Sequence, residues 1–297
     1  MDLLEKIIKE DRMKKFSMVF LTFVLSMAIV YKAWADVTII PQSALIPSTQ
    51  YYTTDIGGGI GNALIMTGGG NAANVGQSRN DDGFSGPISL GFSLNFYGNT
   101  YNQFWANNNG NISFNGGISA FTPSGPQGQN APIISPFFAD VDTRNLASGL
   151  MYLRNDISNE IIVTWDAVGY FGDHADLLNS FQLVLRGPDY VVPAGEGQIG
   201  FFWNTMGWET GDASGGIGGF GGTEAAVGFG LGNGVDGQIL QGSTTAGIAS
   251  VVQNNRLWFN LSEGGVPEIP NVPEPGTMIL LGSAFLGLVA FRKRFKR

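Results

Sequence analysis

Residues 133–144 read IISPFFADVDTR, and this stretch decides how the fold is interpreted. It opens with apolar residues, and from Ala139 onward apolar and polar residues alternate. Side chains of an extended strand point alternately to its two faces, so Asp140, Asp142 and Arg144 fall on one face and the residues between them on the other. The pattern therefore predicts a strand that buries one face and gathers charge on the other, at the centre of a domain.

Short strands are predicted on both sides of this stretch. Residues 88–96 alternate cleanly over nine positions, which is typical of a half-buried strand. The run Asn107–Gly110 predicts a tight hairpin, because Asn and Gly accept positive φ. Residues 150–154 and 160–165 predict a second hairpin. Because helical periodicity is confined to the terminal segments, the sequence predicts an all-β fold, an antiparallel β-sandwich or barrel-like domain, with apolar helices only in the terminal signals.

Composition excludes several classes of function. Between residues 36 and 272 there are five Arg, no Lys and 19 Asp and Glu, a net charge of −14. Such a surface repels phosphate backbones, so no nucleic acid partner is expected, and cations or neutral polymers are favoured. The missing lysines exclude a P-loop lysine and a Schiff base, the absence of Cys excludes thiol chemistry, and a single histidine excludes two-histidine metal sites.

The N-terminus has the three parts of a secretory signal peptide. Two lysines at 14 and 15 precede an apolar run over residues 16–30, and Ala33 and Ala35 form the cleavage site of residues 1–35. Signal peptidase is therefore a predicted partner, and Met13 is an alternative start of translation. The alternative interpretation is a retained membrane anchor, although the run is shorter than the ~20 residues that span a bilayer.

The C-terminus carries a second address. Pro273, Glu274 and Pro275 precede an apolar run over residues 277–291 and a basic end. Residues 273–297 resemble the PEP-CTERM sorting signal of Gram-negative bacteria. That resemblance implies recognition by exosortase, removal of the tail and delivery to the cell surface or extracellular matrix. A fifteen-residue helix is shorter than the ~30 Å hydrocarbon core, which suits a transient inner-membrane anchor better than the alternative of a permanent one.

The middle of the chain resembles the nidogen-like (NIDO) domain. The resemblance rests on LNFYGNTYNQFWANNNGNISF, IISPFFADVDTR, IIVTWDAVGYF, NSFQLVLRG and VVQNNRLWFNL, which occur in the family's order within residues 80–262. Phe138 stands where tryptophan is commoner in the family. Residues 36–79 are then a lead-in segment and residues 263–272 a linker. The resemblance implies cell–matrix adhesion without catalysis, with an exopolysaccharide of the biofilm matrix or a surface protein as partner.

Asp140 and Asp142 permit three hypotheses. Arg144 or another arginine could hold both carboxylates in a structural network. With Asp81 and Asp82 they could instead bind Ca²⁺, which prefers six to eight oxygen ligands and would be the one cofactor of the domain. As a pair they could hydrolyse or bind carbohydrate, since residues at i and i+2 lie about 6.6 Å apart along a strand. The expectation is a protein that is not an enzyme.

Aromatic residues and one histidine complete the candidates. His174 lies in a polar loop between two aspartates and is interpreted either as a solvated side chain or as a cation or pH site. Four aromatic residues could stack on the sugar rings of a matrix polysaccharide, or they could pack in the core as aromatics of β domains generally do; they are Trp165, Tyr170, Trp203 and Trp208.

Overall fold

A computed structural model describes residues 37–70 and 75–270. Two nine-stranded antiparallel sheets pack in a sandwich-like arrangement, which confirms the predicted all-β class. The strands with their bounds are β1 (Val37–Ile40), β2 (Ile46–Pro47), β3 (Asn62–Ala63), β4 (Gly68–Gly69), β5 (Gly83–Phe84), β6 (Ile88–Phe96), β7 (Asn99–Asn107), β8 (Asn111–Ser113), β9 (Ile133–Phe138), β10 (Val141–Asp142), β11 (Leu150–Arg154), β12 (Glu160–Tyr170), β13 (His174–Arg186), β14 (Ile199–Met206), β15 (Ala226–Gly230), β16 (Gly237–Leu240), β17 (Asn255–Leu261) and β18 (Pro267–Glu268).

Each sheet is built from strands that come from distant parts of the chain. The first sheet has the order β1-β16-β15-β9-β8-β7-β5-β4, with β6 pairing β7. The second has the order β18-β17-β14-β13-β12-β11-β3, with β10 pairing β12 and β2 pairing β17. Both predicted hairpins form, β7 with β8 and β11 with β12. Two five-residue helices that the sequence does not predict lie within the domain, α1 (Tyr52–Ile56) and α2 (Ile248–Val252).

Aromatic side chains fill the space between the sheets. Trp165 stacks on Phe181 with ring centroids 5.0 Å apart, and Phe201 stacks on Phe229 at 5.4 Å. Each of these rings is fully buried, and burying a side chain of this size contributes roughly 1.5–3 kcal/mol. The apolar positions of the alternating strands therefore build one continuous core.

The stretch 133–144 differs from the predicted strand. The strand β9 ends at Phe138 in the first sheet, and β10 pairs with β12 in the second sheet. The chain thus passes from one sheet to the other at Ala139 and Asp140. Residues 133–143 are buried on both faces, so the predicted separation into an apolar face and a charged face is wrong. The alternation that suggested it arises instead from a buried crossing between sheets.

The lead-in segment 36–79 takes part in both sheets. Its strands β2 and β3 pair with β17 and β11, and β4 pairs with β5. The helix α1 covers the outer face of the second sheet, where Tyr52 packs with Ile162, Val184, Phe202 and Trp258 in a small second apolar cluster. A face that alternation alone would leave to solvent is therefore buried.

This covered face holds a fully buried arginine. The guanidinium of Arg186 donates to Glu160 Oε2 at 2.9 Å, to the carbonyl of Gly197 at 2.9 Å and to Glu196 Oε2 at 2.5 Å. Its Cζ lies 4.9, 4.5 and 4.4 Å from ring centroids of three aromatic residues. Burial alone would lower the pKa of Arg186, but its hydrogen bonds to Glu160 and Glu196 raise the pKa overall. The rings are those of Tyr52, Tyr190 and Trp258.

The two terminal signals lie outside the described residues. This applies to the cleavage site at Ala33 and Ala35, to the alternative start at Met13, and to the sorting motif at 273–275. Among residues 37–70 and 75–270, no helix has the length and apolar character needed to cross a bilayer.

Candidate functional site

The crossing between the sheets fixes the position of Asp140. The amide of Val141 donates to Asn109 Oδ1 at 3.0 Å, and the amide of Ala139 donates to the Asn109 carbonyl at 3.3 Å. The Asp140 carbonyl accepts from the amide of Phe171 at 2.9 Å. The backbone on both sides of Asp140 is therefore held by the Asn107–Gly110 turn and by the end of β12.

The turn at residues 80–83 is fastened to the same place. Asn80 Oδ1 accepts from the Gly83 amide at 2.9 Å, which closes the turn, and Asp82 takes a positive φ of 59° within it. The Asn80 amide donates to Thr143 Oγ1 at 2.9 Å, while the Thr143 amide and hydroxyl both donate to the Asn80 carbonyl at 3.0 Å. These bonds, together with an antiparallel bridge between Asp81 and Asp142, set residues 81 and 82 beside Asp140.

Three carboxylates meet at this point. Asp81, Asp82 and Asp140 each place one oxygen within 4.8 Å of the others. Asp140 is 1% exposed, and neither of its carboxylate oxygens has a hydrogen-bond partner among the described residues. Asp81 is 6% exposed, and its Oδ1 also lacks a partner there. Asp82 is half-buried and accepts from Asn109 Nδ2 at 2.7 Å. We call these three residues the acidic cluster.

Burial and mutual repulsion disturb the titration of the acidic cluster. Burial, together with the negative charges of neighbouring aspartates such as Asp82 and Asp81, raises the pKa of Asp140 to about 8. Burial and the negative charges of Asp82 and Asp142 raise the pKa of Asp81 to about 7, although the Arg144 guanidinium partly opposes them. Burial also raises the pKa of Asp82, against the hydrogen bond from Asn109. Three carboxylates this close together cannot all stay ionised unless a cation lies between them; otherwise at least one of them takes up a proton.

Asp142 lies beside the acidic cluster but is bound by Arg144. Arg144 Nε donates to both of its oxygens, at 2.9 and 3.1 Å, and Arg144 Nη2 contacts both Asp142 and, at 3.1 Å, Asp81. Hydrogen bonding to Asp142 raises the pKa of Arg144. The predicted structural network with Arg144 is therefore right for Asp142 and wrong for Asp140. Of the four residues predicted as Ca²⁺ ligands, three share the acidic cluster and Asp142 belongs to the adjacent ion pair.

This arrangement does not suit glycoside hydrolysis. Asp140 and Asp142 are 1% and 0% exposed, so a sugar ring cannot lie between them. Both oxygens of Asp142 are held by Arg144, which leaves this carboxylate unable to act as a base or nucleophile without breaking the ion pair. Chemically, the acidic cluster is better suited to holding a cation.

The candidate aromatic residues all lie in the core. Trp165, Trp203, Trp208 and Tyr170 are at most 1% exposed. The three indole N–H groups donate to backbone carbonyls at 2.9 to 3.0 Å. These rings therefore pack inside the sandwich, as the alternative interpretation holds, and none of the four presents a face to a sugar.

His174 lies where the turn after β12 meets a distant loop. Its side chain is 37% exposed, and its Nε2 lies 3.0 Å from Asp212 Oδ2, a residue that sequence analysis does not connect with it. Its Nδ1 lies 3.9 Å from Asp176 Oδ1, and its ring stacks on Tyr170 with centroids 4.6 Å apart. The histidine is thus held between two acids and an aromatic ring.

Sequence reasoning missed two residues of the site. Asn109 was interpreted only as part of a hairpin turn, although its side chain holds both Asp82 and the amide of Val141. Gly211 covers Asp140 so closely that a Cβ there would lie 2.6 Å from Asp140 Oδ2. The run of three asparagines could have indicated the role of Asn109, because asparagine side chains in turns commonly form hydrogen bonds to nearby backbone groups. Nothing in the local sequence indicates the second.

Comparisons with known proteins identify both parts of the chain. A family model described as NIDO related matches residues 63–257, and a PEP-CTERM protein-sorting motif matches residues 271–294. Alpha-tectorins of Mus musculus, Gallus gallus and Homo sapiens are 32%, 31% and 32% identical over 206 residues, which cover 60% of this chain. The chain spans only 9% of the length of these relatives. No solved structure matches it significantly. The chain therefore belongs to the NIDO-related family, and its C-terminal motif marks it as an exosortase-targeted extracellular protein.

Proposed function

We propose that this protein is a non-enzymatic component of the surface or biofilm matrix of a Gram-negative bacterium, which attaches cells to extracellular polysaccharide or to a neighbouring surface protein. The observation that carries the proposal is that a NIDO-related domain and a PEP-CTERM motif occur in one chain. Processing at the motif would release the domain outside the cell, after the apolar segment has anchored it transiently in the inner membrane.

Two features of the domain support a binding role over a catalytic one. The carboxylates that would hydrolyse a glycoside are buried, and one of them is held by Arg144. The strong negative charge of residues 36–272 keeps the domain soluble and disfavours anionic partners such as nucleic acids. A neutral polysaccharide or a basic protein surface fits this charge.

Co-sedimentation with extracellular matrix isolated from the source cells tests the adhesive role. We expect the exported protein to be retained saturably, and a chain that keeps both terminal signals but lacks residues 36–262 to be exported without being retained. Digesting the polysaccharide or the protein of the matrix then identifies the partner class. Equal retention of the two chains would refute adhesion through the domain.

Location tests the sorting role independently. We expect Glu274→Gln to leave the protein unprocessed in the inner membrane, because it removes the charge of the predicted recognition motif. Glu268→Gln makes the same chemical change at an exposed residue upstream of the matched motif and should leave processing unchanged. Normal release of the Glu274→Gln protein would show that the motif does not act as proposed.

A further inference from the structure

We propose that Asp81, Asp82 and Asp140 form a Ca²⁺ site that links the two sheets at the point where the chain crosses between them. This inference goes beyond the proposed function, because a structural cation would be bound whether or not the domain adheres to a matrix. It also differs from the sequence-based hypothesis, which included Asp142.

The three carboxylates are close enough to share one cation. Oxygens within 4.8 Å of one another can all reach one ion, since ligands on opposite sides of a Ca²⁺ ion lie roughly 4.6–5.2 Å apart. The three ligands come from two chain segments that are 58 residues apart, and in each segment a backbone amide donates to an asparagine side chain, Gly83 to Asn80 and Val141 to Asn109. The site is therefore preformed by the fold.

The Asp140 carboxylate has no hydrogen-bond partner among the described residues. Both of its oxygens are unpaired in the described part of the chain although the side chain is buried. Gly211 lies against its carboxylate, so the side chain cannot turn toward solvent without displacing that loop. Leaving a buried carboxylate unpaired is costly, and natural domains satisfy such groups with a hydrogen bond, an ion pair or a metal.

Little positive charge is available near the acidic cluster. Arg144 reaches Asp81 and Asp142, but forms no hydrogen bond with Asp140 or Asp82 among the described residues. The sequence has no lysine between residues 36 and 272 that could take this place. Arg144 thus pairs with two of the four neighbouring carboxylates, and a divalent cation would balance the charge of the others.

The ligand set favours Ca²⁺ over other ions. All three ligands are carboxylates, which suit hard cations better than zinc or copper, whose sites usually include histidine or cysteine. Asp140 offers two unpaired oxygens and Asp81 offers Oδ1, Asp82 can add an oxygen, and water can complete the shell. Mg²⁺ requires a tighter octahedron near 2.1 Å and tends to keep its own water, so it should bind this buried site more weakly.

Thermal unfolding and calorimetric titration of the full chain in mild detergent test the site. After removal of metal with EGTA, we expect CaCl₂ to raise the Tm by several degrees and to bind with a Kd of roughly 10⁻⁴–10⁻³ M, the range of extracellular modules. MgCl₂ at the same concentration should give a clearly smaller shift. Equal shifts with the two salts would overturn the assignment to Ca²⁺, and no shift would overturn the site.

Matched variants locate the binding. We expect Asp140→Asn to weaken Ca²⁺ binding at least tenfold and to abolish the Tm shift, while the metal-free protein becomes no less stable because a buried charge has been removed. Asp189→Asn makes the same change at an exposed position and should bind Ca²⁺ like the wild type. If Asp140→Asn does not fold, Asp82→Asn at the half-buried ligand should show the same tenfold loss. Wild-type affinity in the folded ligand variant would refute the proposal.

Discussion

Replacing Arg186 with methionine should remove the central group of the second sheet's outer face. The guanidinium has three hydrogen-bonded oxygen partners and three aromatic rings around it, and its side chain is fully buried. Methionine keeps much of the length and apolar volume but neither donates hydrogen bonds nor carries charge. Glu160 would then remain in the interior with its carboxylate uncompensated, since its side chain is also 0% exposed.

The expected loss follows from this burial. Removing one partner of a buried ion pair costs roughly 3–5 kcal/mol, because the other charge stays in a medium of low dielectric constant. Losing the contacts with the rings adds roughly 0.5–2 kcal/mol, and the new apolar contacts of methionine offset about as much. We therefore expect the free energy of unfolding to fall by about 4 kcal/mol. With a slope of about 2–3 kcal/mol per molar urea, the unfolding midpoint should fall by roughly 1.5 M.

Urea unfolding followed by tryptophan fluorescence measures this change. Arg256→Met, at a half-buried arginine for which the described residues show no acidic partner, is the matched control and should cost less than about 1 kcal/mol. Adding Glu160→Gln to Arg186→Met should recover part of the loss, because the amide carries no charge. A midpoint within about 0.3 M of the wild type, or a double variant that shows the full sum of the two single losses, would refute the reasoning.

Two other predictions concern the backbone and the buried phenols. Gly110 has φ +74°, and a Cβ there would lie 1.8 Å from the Phe137 carbonyl oxygen, so Gly110→Ala should strongly lower both the Tm and the yield of folded protein. Gly234 has the same φ but open space around it, so Gly234→Ala should cost only about 1 kcal/mol. Similar Tm values for the two variants would contradict this prediction. Burial raises the pKa of Tyr97 and of Tyr170 to about 12, above the unfolded value of 10.0. The folded state therefore favours the neutral phenols, and the stability that this preference contributes is complete below pH 10 and is lost as pH rises toward 12. Unfolding free energies measured over that range should fall less steeply for Tyr97→Phe, and an unchanged slope would count against the shift.

Local patterns predicted much of the architecture. The alternation of residues 88–96 and the run Asn107–Gly110 correspond to β6 and to the turn between β7 and β8. These features depend on neighbours within a few positions, so the sequence contains the information. The Asp142–Arg144 ion pair could likewise be predicted, since residues at i and i+2 share a strand face.

Contacts between distant parts of the chain could not be predicted from these local patterns. Alternation looks the same whether a strand continues in one sheet or crosses to the other, so the crossing at Asp140 could not be recognised. The burial of Arg186 depends on α1, which lies 130 residues earlier in the chain. The acidic cluster was anticipated by residue type, but only the fold shows that Asp140, and not Asp142, lacks a partner.

The pairing of β2 with β17 has a consequence for export. In this pairing Pro47 lies opposite Asn255, so the edge of the second sheet joins residues separated by 208 positions. Contacts of such large sequence separation form late, because the loop between them must close first. A chain crossing a membrane from its N-terminus cannot complete this sheet until β17 has emerged. In N-terminus-first export, this topology would therefore leave the sandwich incomplete until nearly the whole domain had crossed the membrane.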